Sequence, residues 1–230
     1  MTLEPPPITY RPMTDTQTAN KTTDVETVRP EAETITRAAD LIRRGKIIAL
    51  PTETVYGLAV DAADEDAVQA LYVAKGRPEQ KPFVLQFASV QAAKDWAGFD
   101  ETAARLAEAF WPGPLTLIVH MPANARIASR ITAGGDTIGI RIPANDVALG
   151  VLREAGRPLA ITSANLSGHP GARSVAEIPP ELLAHLSLIL DGGTSPIGVA
   201  STVLDVTGDN FRILRQGTLT ADDIEKALTS

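Results

Sequence analysis

The sequence predicts an α/β fold, with a mixed parallel and antiparallel sheet and helices packed against it. Three observations lead there. Amphipathic helical stripes alternate with short apolar runs along most of the chain. In places two apolar runs follow one another with only a turn between them, which argues against a purely parallel, doubly wound sheet. Polar clusters recur where apolar runs end, as in open α/β sheets that bind ligands at their strand ends. At 230 residues the chain suits one large domain with appendages.

Residues 1–30 are rich in Thr and Pro, lack apolar periodicity, and read as a loosely attached or disordered tail. The domain is expected over 31–230. Ile35, Ala38, Ala39 and Ile42 form a helical stripe, which Gly45 ends. KIIAL (46–50) is a short buried strand. Asp64 is a helix N-cap, and that helix, with Val68, Leu71 and Tyr72 on one face, stops at Gly76 and Pro78. FVLQF (83–87) is a strand. Asp100 caps a helix through Ala103, Leu106, Ala107 and Phe110, which WPGP (111–114) breaks. LTLIVH (115–120) and TIGIRIP (137–143) are strands, and Asn145 caps a helix reaching about Ala155. PLAITSA (158–164) is a strand running into the polar turn SANLSG (163–168). A strand over 186–190 ends in DGG. STVLDVT (201–207) and FRILRQG (211–217) form a hairpin around Gly208, and a short helix starts near Thr220.

Composition excludes several function classes. There is no cysteine, so disulfides, thiolate metal sites and cysteine nucleophiles are absent, which fits a cytoplasmic protein. No apolar run approaches the ~20 residues of a membrane span, and the N-terminus lacks the apolar core of a secretory signal. A net charge of −7 disfavours indiscriminate binding to nucleic acid or anionic membrane. The chain contains no Walker-type phosphate loop, no G-x-G-x-x-G and no G-x-S-x-G elbow. Its histidines, His120, His169 and His185, lack metal-ligand spacing.

Against this acidic background, Lys75, Arg77, Lys81, Arg141 and Arg215 all sit in or beside the polar motifs. Converging cations would suit a small, highly charged anion such as a triphosphate or a carboxylate. Each residue also has a purely structural reading. Lys75 and Arg77 could cap a helix C-terminus, Ser163 and Asn165 could cap the next turn, and Gly57, Gly113, Gly168 and Gly192 could be ordinary turn residues. Arg141 is the exception, because a charge inside an apolar strand needs a partner or a ligand.

Taken as an ordered set, the motifs resemble the YrdC-like family, the threonylcarbamoyl-AMP synthases. The resemblance runs from about Ala32 to Gly217. It rests on PTETVYGL (51–58), KGRP (75–78) with KP (81–82), PGPLT (112–116), TIGIRIP (137–143), SANLSG (163–168), STVLD (201–205) and RQG (215–217). The family's lysine–x–arginine and serine–x–asparagine signature is present as Lys75, Arg77, Ser163 and Asn165. The chain resembles the short, single-domain form. The implied fold is a twisted mixed sheet with flanking helices around a large positive cavity.

The resemblance implies a nucleotidyltransferase. It would convert L-threonine, bicarbonate and ATP, with Mg²⁺, into threonylcarbamoyl-AMP and pyrophosphate. The product would feed a partner transferase that modifies tRNA. Lys75, Arg77, Ser163 and Asn165 are then the expected catalytic set, facing the phosphates. Thr54, Arg141, Ser201 and Gln86 are expected at the threonine, with Arg141 on its carboxylate and Thr52 and Tyr56 shaping the wall. Lys81, Thr137 and Arg215 are expected to help hold the nucleotide. Gln86 can hydrogen-bond but cannot titrate near neutral pH. The competing reading is a double-stranded RNA or ribosome-maturation module, in which the same cavity contacts RNA directly; the acidic total charge and absence of aromatic stacking motifs weigh against it. Another is a carbamoyl-transfer domain of larger hydrogenase-maturation proteins, whose accessory segments this chain lacks.

Overall fold

The computed structural model describes residues 25–97 and 99–229. Among these described residues, ten strands form one mixed sheet. In chain order these are β1 (Thr27–Val28), β2 (Ile47–Leu50), β3 (Gly57–Asp61), β4 (Val84–Gln86), β5 (Leu115–His120), β6 (Thr137–Arg141), β7 (Leu159–Ser163), β8 (Leu186–Leu190), β9 (Thr202–Asp205) and β10 (Arg212–Arg215). Their spatial order is β1-β8-β2-β3-β7-β4-β6-β5-β9-β10. The pairs β1·β8, β2·β8, β4·β6 and β5·β9 are parallel, and the other five are antiparallel. The expected mixed sheet is therefore present.

Among the described residues, seven α-helices flank it: α1 (Ala32–Arg43), α2 (Glu65–Lys75), α3 (Val90–Ala97), α4 (Glu101–Phe110), α5 (Asp146–Ala155), α6 (Pro180–Leu183) and α7 (Ala221–Thr229). The sequence signals for four of them operate as the residues suggest. In α1, Ala38, Ala39 and Ile42 are fully buried, the stripe of a helix lying on a sheet. The Asp64 carboxylate accepts from the Ala67 N–H at 2.9 Å and opens α2, while Gly76 closes it in the left-handed region at φ 55°. Asp100 opens α4 in the same way, at 2.7 Å to the Ala103 N–H. The Asn145 side chain accepts from both Val147 and Ala148 N–H groups at the start of α5.

The structure differs from the sequence expectation in three places. The proposed tail, 1–30, falls mostly outside the described residues, but Thr27–Val28 pair with Ile189 and Leu190 of β8, so sheet pairing begins before residue 31. Strand β3 was not anticipated. It starts inside the PTETVYGL motif, and all five of its residues are buried, so it shows no alternation to detect. Helix α3 was also missed. Its one local signal is Ser89, whose hydroxyl accepts from the Ala92 N–H at 3.1 Å.

The core is continuous across the sheet and contains aliphatic side chains such as Ile48, Leu58, Leu85, Leu117 and Leu188, each 0% exposed. No helix among the described residues is long and apolar enough to cross a membrane. One consequence of the α5 cap is measurable. Asn145→Ala leaves two N–H groups without their acceptor and should lower unfolding free energy by about 1 kcal/mol. Urea denaturation should show a lower midpoint with an unchanged slope.

Candidate active site

Strands β2 and β3 are antiparallel neighbours joined by residues 51–56, all buried. A buried connection must find partners for its backbone polar groups, and three remote segments supply them. The Tyr56 N–H donates to the Ala172 carbonyl at 2.8 Å, and the Tyr56 carbonyl accepts from the Ala164 N–H at 2.7 Å. The Glu53 and Thr54 carbonyls accept from the Ile197 and Gly198 N–H groups at 3.0 and 2.8 Å. The Ser195 hydroxyl donates to the Thr52 carbonyl at 2.8 Å. Gly57 is required here because a Cβ would lie 2.7 Å from the Ile161 side chain, across the β3·β7 pairing of Gly57 with Ser163.

This loop forms one wall of a cleft with about 620 Å³ of empty space, its open mouth included. Around it stand Thr52, Thr54, Tyr56, Arg77, Gln86, Thr116, Arg141, Ser163, Ser201 and Arg215. Seven of the eleven residues expected at the site therefore meet or are held at one cleft: Thr54, Arg77, Gln86, Arg141, Ser163, Ser201 and Arg215. No Asp or Glu lines it among the described residues.

Arg141 closes β6 and is 5% exposed. Its Nη2 donates to the Thr54 hydroxyl at 2.9 Å and lies 2.8 Å from Glu53 Oε1, while its Nε donates to the Gly113 carbonyl at 3.2 Å. The need for a partner inside an apolar strand is thus met by Glu53. The hydroxyls behind it form a directed chain. Thr52 donates to the Val55 carbonyl at 2.6 Å, so the 2.8 Å contact between Thr52 and Thr54 must use the Thr54 proton. Thr54 then offers the cleft an acceptor and no donor. That suits a substrate N–H or ammonium.

Arg77 follows the end of α2. Its Nε and Nη2 donate to the Lys81 and Pro82 carbonyls at 3.0 and 2.8 Å, and its guanidinium lies 5.0 Å over the Phe83 ring. Arg215 ends β10 and donates to the Ser201 carbonyl and hydroxyl at 3.0 and 3.1 Å. Burial, then the charges of Arg141 and Arg77, pull Arg215 below the usual arginine range. Burial also lowers Arg77. Thr116, whose hydroxyl is 2.8 Å from that of Ser201, belongs to this wall. The PGPLT motif contained it, but no sequence argument gave it a role.

Four expected residues stand elsewhere or act differently. Lys75 is 1% exposed and does not line the cleft. Its ammonium donates to the carbonyls of Ser163 and Asn165 and to Asn165 Oδ1, at 2.5, 2.8 and 3.2 Å. Asn165 is saturated: Oδ1 also accepts from the Ser163 hydroxyl, and Nδ2 donates to the Leu166 and His169 carbonyls. Lys75 and Asn165 therefore brace the Ser163 turn from behind rather than face the cleft. Lys81 is exposed, and its carbonyl accepts from Tyr72 and Arg77. Thr137 begins β6, at the end opposite Arg141 and paired with His120. Four steps of about 3.3 Å each separate them along the strand. Tyr56 lines the cleft with its body, but its hydroxyl points away, donating to the Gly193 carbonyl at 2.7 Å. Burial, with Asp191 nearby, pushes that phenol up to about 12.

The Lys75 brace makes stability depend on pH. Burial, then the Arg77 charge, pull the Lys75 ammonium down to about 7. Between that value and the ~10.4 of a free lysine, the unfolded chain binds more protons than the native one. Stability from this group therefore rises with pH across the window, by at most about 1.4 kcal/mol per unit. Urea titrations at several pH values should show wild type gaining on Lys75→Met as pH rises from 7 to 10.

Comparisons relate the chain to known proteins. The family model Sua5_yciO_yrdC, described as telomere recombination, matches residues 40–217. The threonylcarbamoyl-AMP synthases of Pyrococcus abyssi and Bacillus subtilis are each 42% identical, over 83% and 84% of this chain. The chain spans about half their length, 56% in both cases. The solved structure of P. abyssi Sua5 complexed with L-threonine superposes with a TM-score of 0.83 at 40% identity, covering 89% of this chain and 60% of that one. The chain belongs to the Sua5/YciO/YrdC family.

Proposed function

We propose that this chain is an L-threonylcarbamoyladenylate synthase, with its catalytic unit in the residues from about 31 onward. One observation carries the reading: three arginines, Arg77, Arg141 and Arg215, converge on a single cleft otherwise lined by hydroxyls, an amide and apolar groups. Such a site collects anions and positions them, and among the described residues its lining holds no nucleophile poised by a base. The proposed reaction needs none. The threonine nitrogen bonds to the carbon of bicarbonate, with loss of water, to give a carbamate. A carbamate oxygen then attacks the α-phosphorus of ATP, and the bond to pyrophosphate breaks. Catalysis is positioning together with charge neutralisation.

The residues divide accordingly. Arg141 takes the threonine carboxylate through the guanidinium edge that Glu53, Thr54 and Gly113 do not use. Thr54, presenting only an acceptor, and the Gln86 amide hold the amine. Arg77 and Arg215 face the phosphates, with Ser163 beside them. Lys75 and Asn165 act through Ser163 by fixing its turn. Ser201 and Thr116 anchor Arg215 against the amino acid. ATP chemistry of this kind uses Mg²⁺. With hydroxyls but no carboxylate on the wall, and no group of three His, Cys, Asp or Glu side chains near enough to hold an ion among the described residues, the cleft is not a resident metal cage. The ion would arrive on the phosphate oxygens as part of the substrate.

The product would pass to a transferase acting on tRNA in the cytoplasm. Direct binding of duplex RNA is the weaker reading, because Arg141 is buried and Arg77 partly so, and all three arginines, the more exposed Arg215 included, line one cleft rather than a convex basic face.

Pyrophosphate release from ATP tests the reaction. It should require both L-threonine and bicarbonate, and release that is independent of either defeats the reading. Arg141→Lys tests the carboxylate site. Lysine keeps a cation beside Glu53 but loses the planar fork, so KM for threonine should rise about tenfold or more. KM for ATP should move less than about threefold, and equal effects on both would contradict the assignment. Arg141→Ala is the poorer probe, since it strands Glu53 and costs about 3–5 kcal/mol of stability.

A further inference from the structure

The three arginines of the cleft are not equivalent. Among the described residues, every side-chain hydrogen bond of Arg77 and Arg215 goes to a neutral oxygen: the Lys81 and Pro82 carbonyls, or the Ser201 carbonyl and hydroxyl. Arg141 alone has a carboxylate against it, Glu53 at 2.8 Å, with both side chains less than a tenth exposed. The contact is not a fork-to-fork pair. Neither Glu53 oxygen accepts an aligned hydrogen bond. A carboxylate kept only to hold an arginine in place would be expected in bidentate geometry. A buried, unaligned carboxylate is costly to maintain, and what it supplies at this position is charge.

We propose that Glu53 is a specificity-determining residue: its buried charge cancels that of Arg141, reserves that end of the cleft for a zwitterionic amino acid, and leaves Arg77 and Arg215 as the phosphate-holding pair. The amino-acid half of this statement rests on the function proposed above. The physical logic is one of competition. Three uncompensated guanidinium groups in one cleft would draw phosphates to all of them, since the most highly charged anion gains most from each cation. A fixed negative charge beside one arginine penalises a polyanion there more than a zwitterion, whose ammonium offsets its carboxylate. Glu53 thereby works by repulsion, and specificity of this kind needs an element set against the wrong ligand.

The probe is pyrophosphate, titrated calorimetrically into the full chain with and without saturating L-threonine. In wild type, threonine should change pyrophosphate affinity by less than about twofold, because the two occupy separate ends. In Glu53→Gln, pyrophosphate should bind about tenfold more tightly, and threonine should now compete with it. Glu53→Asp keeps the charge and should retain wild-type pyrophosphate affinity. Competition between the two ligands in wild type, or an unchanged or weaker pyrophosphate affinity in Glu53→Gln, overturns the proposal. The wild-type arm decides even if the glutamine variant does not fold. Failure of threonine to bind wild type would count against the proposed function alone, while the pyrophosphate affinity of Glu53→Gln still decides the role of Glu53.

Discussion

The site depends on one constraint: a connection between two central strands is buried, and its backbone must still find hydrogen-bond partners. Loops normally run over the surface to avoid this problem. Residues 51–56 instead draw partners from Ala164, Ala172 and the 195–198 stretch. Those partners all lie in the second half of the chain, far in sequence from the loop. Satisfying the loop therefore brings the Ser163 turn and the segment leading to Ser201 to the same place. The cleft is a by-product of that closure.

A second layer of organisation concerns charge. Like charges resist being gathered, and burial penalises each of them. Arg77 and Arg215 both show the effect as a downward pull on their proton affinity. The protein holds them with carbonyl oxygens, whose dipoles stabilise a cation without cancelling it. Arg141 is treated differently, with a full negative charge beside it. Lys75 follows the carbonyl pattern more deeply in the core, where it ties the end of α2 to the turn after β7. The cationic signature in the sequence thus separates into working groups and a brace, a distinction that depends on which oxygens each nitrogen meets.

Much of the fold was legible because the signals were local. Asp64, Asp100 and Asn145 each accept from N–H groups two or three residues on, an arrangement that needs no tertiary partner. The stripe of α1 and the hairpin of β9 and β10 are likewise short-range. Strand β3 was not legible, since a strand buried on both faces loses its alternation. Thr116 was missed because its role comes from Ser201, a residue supplied by the neighbouring parallel strand's approach.

By itself, the sequence determined that a mixed α/β domain would carry cations and hydroxyls at its strand ends, and that no cysteine, histidine triad or phosphate loop would do the chemistry. The motif order also pointed to the family. Only the tertiary structure decided which of those residues share a cleft. Thr137 and Arg141 lie in one strand of the same motif, yet β6 separates them along its length. Lys75 and Arg77 are two residues apart, yet one faces the core and the other the cleft. Glu53 sits within PTETVYGL, and its charge partner is Arg141, 88 positions along the chain. The reason is physical: propensity and capping act over a few residues, whereas burial, charge pairing and strand register join residues at any separation.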